Sequence, residues 1–179
     1  MARILLSFRR ADSIEIVARI FDCLIARYGR NVFRDLDVVP PGLDFRAHVK
    51  EVVRNSDFML AIVGPRWEGL RSDGSRALDN ANAPIRIELE TAEEYGLQVI
   101  PVLVNGARMP TLECLPASIR NFAFRNAAEL TSGPEFGRHM ERLIRTLDMY
   151  SEIRASESST RVRSMEHSSR EDGFGQASC

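Results

Sequence analysis

One apolar run constrains the fold of this chain more than any other feature of its sequence. Between Asp57 and Gly64 lie Phe58-Met59-Leu60-Ala61-Ile62-Val63, with no polar residue among them. Apolar side chains on both faces of a strand are typical of the interior of a parallel sheet, where helices cover each face. The run therefore predicts a central, buried strand.

Shorter apolar runs and amphipathic stretches alternate on either side of this strand. The other strands are predicted at Arg3–Phe8, near 31–33, at Gln98–Val104 and at Phe122–Phe124. The later helices are predicted near 45–53, 84–96 and 136–147. Five strands that alternate with helices predict an α/β fold with a doubly wound five-stranded parallel sheet and right-handed crossovers.

The first helix is predicted from its apolar period. Asp12 or Ser13 is the expected N-cap, and Gly29 is the expected end. The apolar face is predicted to comprise Ile14, Val17, Ala18, Phe21, Leu24, Ile25 and Tyr28.

Glu88 has a distinctive position in the helix that begins near Pro84. Proline is well tolerated in a first helical turn, and Ile85, Leu89 and Ala92 then recur as an apolar stripe. On this wheel Glu88 lies in the first turn, at the seam between core and solvent. An acid there is also common for stability alone, since the helix dipole favours it.

Size and composition bound the remaining possibilities. A chain of 179 residues can bury one good core, and we expect one domain over residues 1–149 and a disordered, serine- and charge-rich tail over 150–179. A formal net charge of -1 argues against a general nucleic-acid binder. Three widely spaced cysteines favour a reducing cytoplasm, and no apolar run approaches the ~18 residues of a membrane span.

Several polar segments are expected to meet at one edge of the sheet. Ligands of open parallel sheets bind outside the carboxyl ends of the strands, at the point where the strand order reverses. The loops that reach this edge carry Phe8, Arg9, Arg10, Asp35 and Glu88. This convergence predicts the functional site.

Other familiar chemistries lack their motifs. The sequence contains no G-x-G-x-x-G after the first strand, no G-x-x-x-x-G-K-[ST] and no G-x-S-x-G. His48, His139 and His167 have no metal-ligand spacing. A phospho-receiver domain would need an aspartate at the end of the central strand, where this chain has Gly64.

The same segments resemble the bacterial Toll/interleukin-1 receptor (TIR) domain family over roughly residues 1–149. The resemblance rests on the segments Ile4–Ser13, Phe33–Asp35 with Pro41-Gly42, Val63–Trp67, Ile85–Leu89 and Ile100–Val104. It implies a flavodoxin-like TIR fold. In many members it also implies cleavage of the nicotinamide–ribose bond of NAD+, with NAD+ as substrate and no resident cofactor.

Residue roles follow from the resemblance alone. Glu88 stands at the position of the essential glutamate, while Phe8, Arg9 and Arg10 would line the nucleotide pocket. Asp35 and Gly42 would shape the second loop, called the BB loop. Two positions depart from the family, which commonly carries Tyr at the position of Phe8 and an aromatic residue at the position of Pro84.

Three functions are compatible with these residues. The first is an NAD+ hydrolase, with or without cyclase activity, that is active on self-association, because in the family the BB loop of one subunit completes the pocket of the next. The second is a non-catalytic adaptor that signals through contacts with other TIR domains. The third is a secreted effector that engages host TIR proteins.

Overall fold

The structure is a computed structural model that describes residues 1–34 and 41–171, with side chains described as far as residue 156. Its first compact unit is Met1–Leu143. This unit holds one five-stranded parallel sheet with the order β2-β1-β3-β4-β5. The strands are β1 (Ile4–Phe8), β2 (Val32–Phe33), β3 (Phe58–Val63), β4 (Gln98–Val104) and β5 (Ala128–Leu130).

Helices connect and flank these strands, which confirms the predicted α/β fold. They are α1 (Arg10–Tyr28), α2 (Phe45–Arg54), α3 (Pro84–Glu94) and α4 (Phe136–Glu171). Short 3-10 helices cover Gly29–Asn31, Ala77–Asp79, Leu112–Cys114 and Ala117–Phe124. No helix in the described ranges combines the length and apolarity that crossing a membrane requires.

The run at Phe58–Val63 is the central strand, as predicted. All six residues of β3 are buried, and the strand pairs with β1 on one side and β4 on the other. The core between the sheet and helices α2 and α3 forms one cluster that includes Leu5, Met59, Ala61, Val49, Val53, Ile85, Leu89 and Ala92. Burial of this layer holds α3 against the sheet.

Helix α1 differs from its predicted start and face. It begins at Arg10, with Arg9 as a main-chain N-cap, so neither Asp12 nor Ser13 caps it. Ile14 and Ile25 are 47% and 40% exposed. The predicted Val17, Leu24 and Tyr28 are buried, together with Ile16 and Ile20, which the predicted face left out. The helix is apolar over a wide arc, and only packing on the sheet selects which part is buried. The predicted end at Gly29 is confirmed.

The predicted last strand at Phe122–Phe124 is wrong. This segment is part of the 3-10 helix Ala117–Phe124, where Phe122 stacks on Trp67 with ring centroids 5.2 Å apart. The fifth strand is Ala128–Leu130, which pairs with β4 from Val102 to Val104. Three residues of mixed polarity give no strand signal, whereas an aromatic run gives a misleading one.

The second unit, Ile144–Cys179, is described as helix as far as Glu171. The disordered tail expected over residues 150–179 stays a prediction. Neither Gly nor Pro occurs between Arg138 and Glu171, and nothing in the sequence therefore breaks the helix. The domain boundary at residue 149 stays a prediction.

Candidate active site

A cleft of about 290 Å³ opens where β1 ends and α3 begins. Its apolar lining comprises Phe8, Ala77, Ala83, Pro84 and Ile85, and its polar lining comprises Arg9, Arg10, Arg71, Asn80 and Asn82. The structure thus brings together Phe8, Arg9 and Arg10, which the sequence placed at this edge. None of the described residues in the lining is acidic, so three guanidinium groups make the cleft strongly positive.

Glu88 lies beneath this cleft and does not line it. The residue is 5% exposed and is the fifth residue of α3, which begins at Pro84. It was predicted in the first turn, at the seam between core and solvent, and both expectations are wrong. Pro84 and Ile85 precede Glu88 by one turn on the same helix face and form part of the cleft wall. Glu88 therefore lies one helical turn further along α3 than these two residues of the cleft wall.

The start of α3 faces the same cleft. Ala83 is its N-cap and provides no side-chain hydrogen bond, and Pro84 occupies a first-turn position. The main-chain N–H of Ile87 is satisfied by the Ala83 carbonyl at 3.0 Å. A helix N-terminus carries partial positive charge, which adds to that of the arginines.

Arg9 joins the cleft to the loop after β3. Its Nε donates a 2.8 Å hydrogen bond to the main-chain carbonyl of Trp67. Burial lowers the pKa of Arg9, the nearby Asp12 carboxylate opposes that effect, and the positive charge of Arg71 lowers the pKa further. The residue assigned to ligand contact by family resemblance therefore also has a structural role.

Asp12, in the first turn of α1, makes a second connection to the loop after β3. Its side chain is 1% exposed and accepts a 2.9 Å hydrogen bond from the main-chain N–H of Arg66. The Arg66 guanidinium donates in return to the carbonyl of Ala11 at 2.7 Å. Asp12 therefore makes a long-range contact, whereas the sequence predicts it, or Ser13, as the N-cap of the first helix.

The long loop from Pro65 to Asn82 is well organised in the structure. Leu70 and Arg76 form an antiparallel bridge, and Ala77–Asp79 forms a turn of 3-10 helix. The loop supplies Arg71, Asn80 and Asn82 to the cleft, and sequence analysis named none of them. The only available signal was the unusual length of the loop.

Two other predicted site residues do not join this group. Asp35 lies outside the described residues. Gly42 is exposed and is not part of the cleft lining. Within the described chain, no group of three His, Cys, Asp or Glu residues could hold a metal ion. The roles assigned to Asp35 and Gly42 stay predictions.

Comparison with known proteins identifies the same family over most of the chain. The profile of the TIR domain family matches residues 4–144. No curated protein sequence matches at a significant level. The TIR domains of the activated Roq1 resistosome, which directly recognises the pathogen effector XopQ, share 14% identity at a TM-score of 0.60. That match covers 82% of this chain and 99% of the other, and it supports the fold.

Two further solved structures match at lower scores. The TIR domain of the Toll-related receptor TRR-2 from Hydra magnipapillata shares 17% identity at a TM-score of 0.45, covering 81% of this chain and 99% of the other. The CMP N-glycosidase BcmB from Clostridium botulinum shares 16% identity at a TM-score of 0.43, covering 83% and 98%.

Proposed function

The chain belongs to the TIR domain family, and from that premise we propose that it hydrolyses NAD+ at the nicotinamide–ribose bond with Glu88 as the catalytic carboxylate. One observation carries the proposal: the buried Glu88 follows Pro84 and Ile85 of the cleft wall by one helical turn, and three arginines but no described acid line that cleft. The cations suit the pyrophosphate of a dinucleotide. The carboxylate suits the positive charge that the reaction creates.

The chemistry requires little beyond that carboxylate. The bond between the ribose C1′ and the pyridinium nitrogen breaks with its electron pair, so nicotinamide leaves as a neutral molecule. The sugar becomes cation-like, and a carboxylate held in a water-poor site stabilises this charge better than bulk water does. Water then attacks C1′, loses a proton and completes ADP-ribose. In a cyclising variant of the reaction, a nucleophile of the substrate itself would take the place of water.

The depth of Glu88 gives the proposal a conformational requirement. Glu88 is 5% exposed and is not part of the cleft lining, so we propose that the first turn of α3 shifts and brings the carboxylate to the ligand before catalysis. TIR domains commonly self-associate, and we propose that assembly of several copies drives this shift. Activity then rises faster than linearly with protein concentration. The proposed setting is signalling or defence, and the cytoplasmic location stays a prediction.

The test is release of nicotinamide from NAD+ by the purified full chain, followed by chromatography at increasing protein concentration. We expect release in the wild type and its loss in Glu88→Gln. Glu94→Gln is the matched control because Glu94 is an exposed acid of the same helix. Circular dichroism verifies that each variant is folded. Release that persists in a folded Glu88→Gln protein, or no release at any wild-type concentration, would contradict the proposal.

A second candidate is a non-catalytic adaptor that acts through contacts between TIR domains. One observation favours it: Leu43 is 58% exposed in the segment before α2, beside exposed Pro41 and Gly42. A large apolar side chain at a loop tip suits a protein contact. If the chain is an adaptor, we expect Leu43→Asp to abolish self-association and Glu88→Gln to leave self-association unchanged. The wild type should then leave NAD+ intact.

A further inference from the structure

Arg71 occupies a tightly connected hairpin within the long β3–α3 loop. Leu70 and Arg76 form its antiparallel bridge, and the Arg71 N–H donates to the Ser75 carbonyl at 2.8 Å. Asp73 Oδ1 accepts from both the N–H of Ser75 at 2.9 Å and its hydroxyl at 2.7 Å. These bonds define the turn, so the Arg71 side chain leaves the hairpin at a fixed position on the cleft wall.

The stem of this hairpin rests directly on Arg9. A Cβ atom at Gly69 would lie 2.7 Å from both Ala77 Cβ and Arg9 Cζ, and the φ of +67° at this position also favours glycine. The Ala77 N–H donates to the Gly69 carbonyl at 3.0 Å, which closes the stem above the guanidinium. Because Arg71 belongs to the same hairpin, the contact between its stem and Arg9 also fixes the position of Arg71 relative to Arg9.

The two arginines place like charges next to each other. Their proximity is independently evident because the charge of Arg71 contributes to lowering the pKa of Arg9, after the larger effect of burial and the opposing effect of Asp12. Among the ion pairs of the described residues none includes Arg71; Asp73 acts on it only through longer-range charge, and its Nη1 donates to Ser75 Oγ at 3.5 Å. Two adjacent guanidinium groups repel each other unless an anion lies between them.

We infer that Arg71 and Arg9 form a two-guanidinium subsite that binds the pyrophosphate of the dinucleotide, with Arg71 as its specificity-determining residue. The inference rests on the proposed function and extends it to a residue of the β3–α3 hairpin. Guanidinium groups form paired, charge-assisted hydrogen bonds with phosphate oxygens. Arg71 acts on affinity and not on the chemical step, because it binds phosphate and does not contact the bond that breaks.

The experiment measures two quantities in Arg71→Ala, Arg71→Lys and Arg108→Ala. Arg108 is the matched control because it is an exposed arginine outside the cleft lining. The first quantity is the Kd for ADP, which carries the pyrophosphate, and for adenosine, which carries none, both by calorimetry. The second is kcat and KM for NAD+.

We expect Arg71→Ala to weaken ADP binding about tenfold to a hundredfold, and to raise the KM for NAD+ by a similar factor with kcat unchanged. Adenosine binding should stay constant. Arg71→Lys should recover part of the ADP affinity, and Arg108→Ala should match the wild type. Equal ADP affinity in Arg71→Ala and the wild type, equal losses for ADP and adenosine, or no ADP binding by the wild type would overturn the inference.

These outcomes separate the subsite from the reaction. A wild type that binds ADP through Arg71 but releases no nicotinamide supports the subsite while the proposed function fails. A wild type that cleaves NAD+ with a KM that Arg71→Ala leaves unchanged overturns the subsite while the proposed function stands.

Discussion

Arg9 Nε donates a 2.8 Å hydrogen bond to the carbonyl oxygen of Trp67, a residue 58 positions further along the chain. The bond joins the loop after β1 to the loop after β3, which are the two loops that form one wall of the cleft. Trp67 is itself anchored, since it is 1% exposed and its ring stacks on Phe122. The position of Arg9 in the cleft is therefore tied to the hydrophobic core.

Replacing Arg9 by lysine tests this connection. Lysine keeps the positive charge but has no Nε–H in a planar guanidinium, so the hydrogen bond to the Trp67 carbonyl is lost. We expect Arg9→Lys to lower the free energy of unfolding by about 1.5–3 kcal/mol, the range for hydrogen bonds to charged groups. Urea denaturation measures it, with Arg10→Lys as the control on an exposed neighbour. Equal stability of the two variants would show that the connection contributes nothing.

Gly64 and Asp12 should be energetically coupled. A Cβ atom at Gly64 would lie 2.2 Å from Asp12 Oδ2, inside the van der Waals contact distance. Gly64→Ala should therefore cost about 1–3 kcal/mol as an overpacking substitution. In an Asp12→Ala background the space is free, and the same substitution should cost less. A double-mutant cycle by denaturant unfolding gives the coupling energy, and strictly additive effects would refute the contact.

Glu90 should contribute a measurable acid dependence of stability. Burial alone raises its pKa, but hydrogen bonds from Arg86 at 2.8 Å and Ser118 at 2.5 Å outweigh burial and hold the pKa of Glu90 below its ordinary value. Because the folded-state pKa is the lower one, this stabilisation is complete above the unfolded-state pKa of about 4.3 and is lost as the pH falls through the folded-state value.

Glu90→Gln isolates this effect. The variant should be less stable than the wild type at pH 7, and the difference should shrink as the pH falls below about 4. Melting temperatures across this pH range provide the measurement. Glu94→Gln is the control, since the Glu94 side chain is 55% exposed and pairs only with Lys50 among the described residues. A difference that is constant with pH would mean that the pKa of Glu90 is not depressed by folding.

A substitution at Pro84 tests whether the missing aromatic residue of the family weakens binding in the cleft. Pro84 lines the cleft wall where the family resemblance places an aromatic side chain. Under the proposed function, Pro84→Trp should lower the KM for NAD+ about tenfold, since stacking on a base is worth about 1–3 kcal/mol. Pro84→Ala separates the loss of proline from the gain of the indole ring. Equal KM values for NAD+ in the tryptophan and alanine variants would show that stacking at this position does not contribute to binding.

The sequence predicted the sheet well wherever local pattern and tertiary packing agree. β3 and β4 are buried on both faces, so apolar runs alone gave Gln98–Val104 at its observed bounds and made β3 central. The strand predicted at Phe122–Phe124 is wrong, and the observed strand at Ala128–Leu130 was not predicted. In the first segment Phe122 is buried against Trp67 while Phe124 is 74% exposed, and the second segment has no apolar pattern of its own.

By itself, the sequence determined the alternation of strands and helices, the edge of the sheet where the loops meet, and the placement of Phe8, Arg9 and Arg10 at that edge. Only the tertiary structure decided that Glu88 is buried and does not line the cleft, that Asp12 connects α1 to the loop after β3, and that Arg71 reaches the cleft wall. Strand and helix periods are local properties of the chain. The depth of a carboxylate and the partners of a loop arginine depend on residues that are distant in sequence.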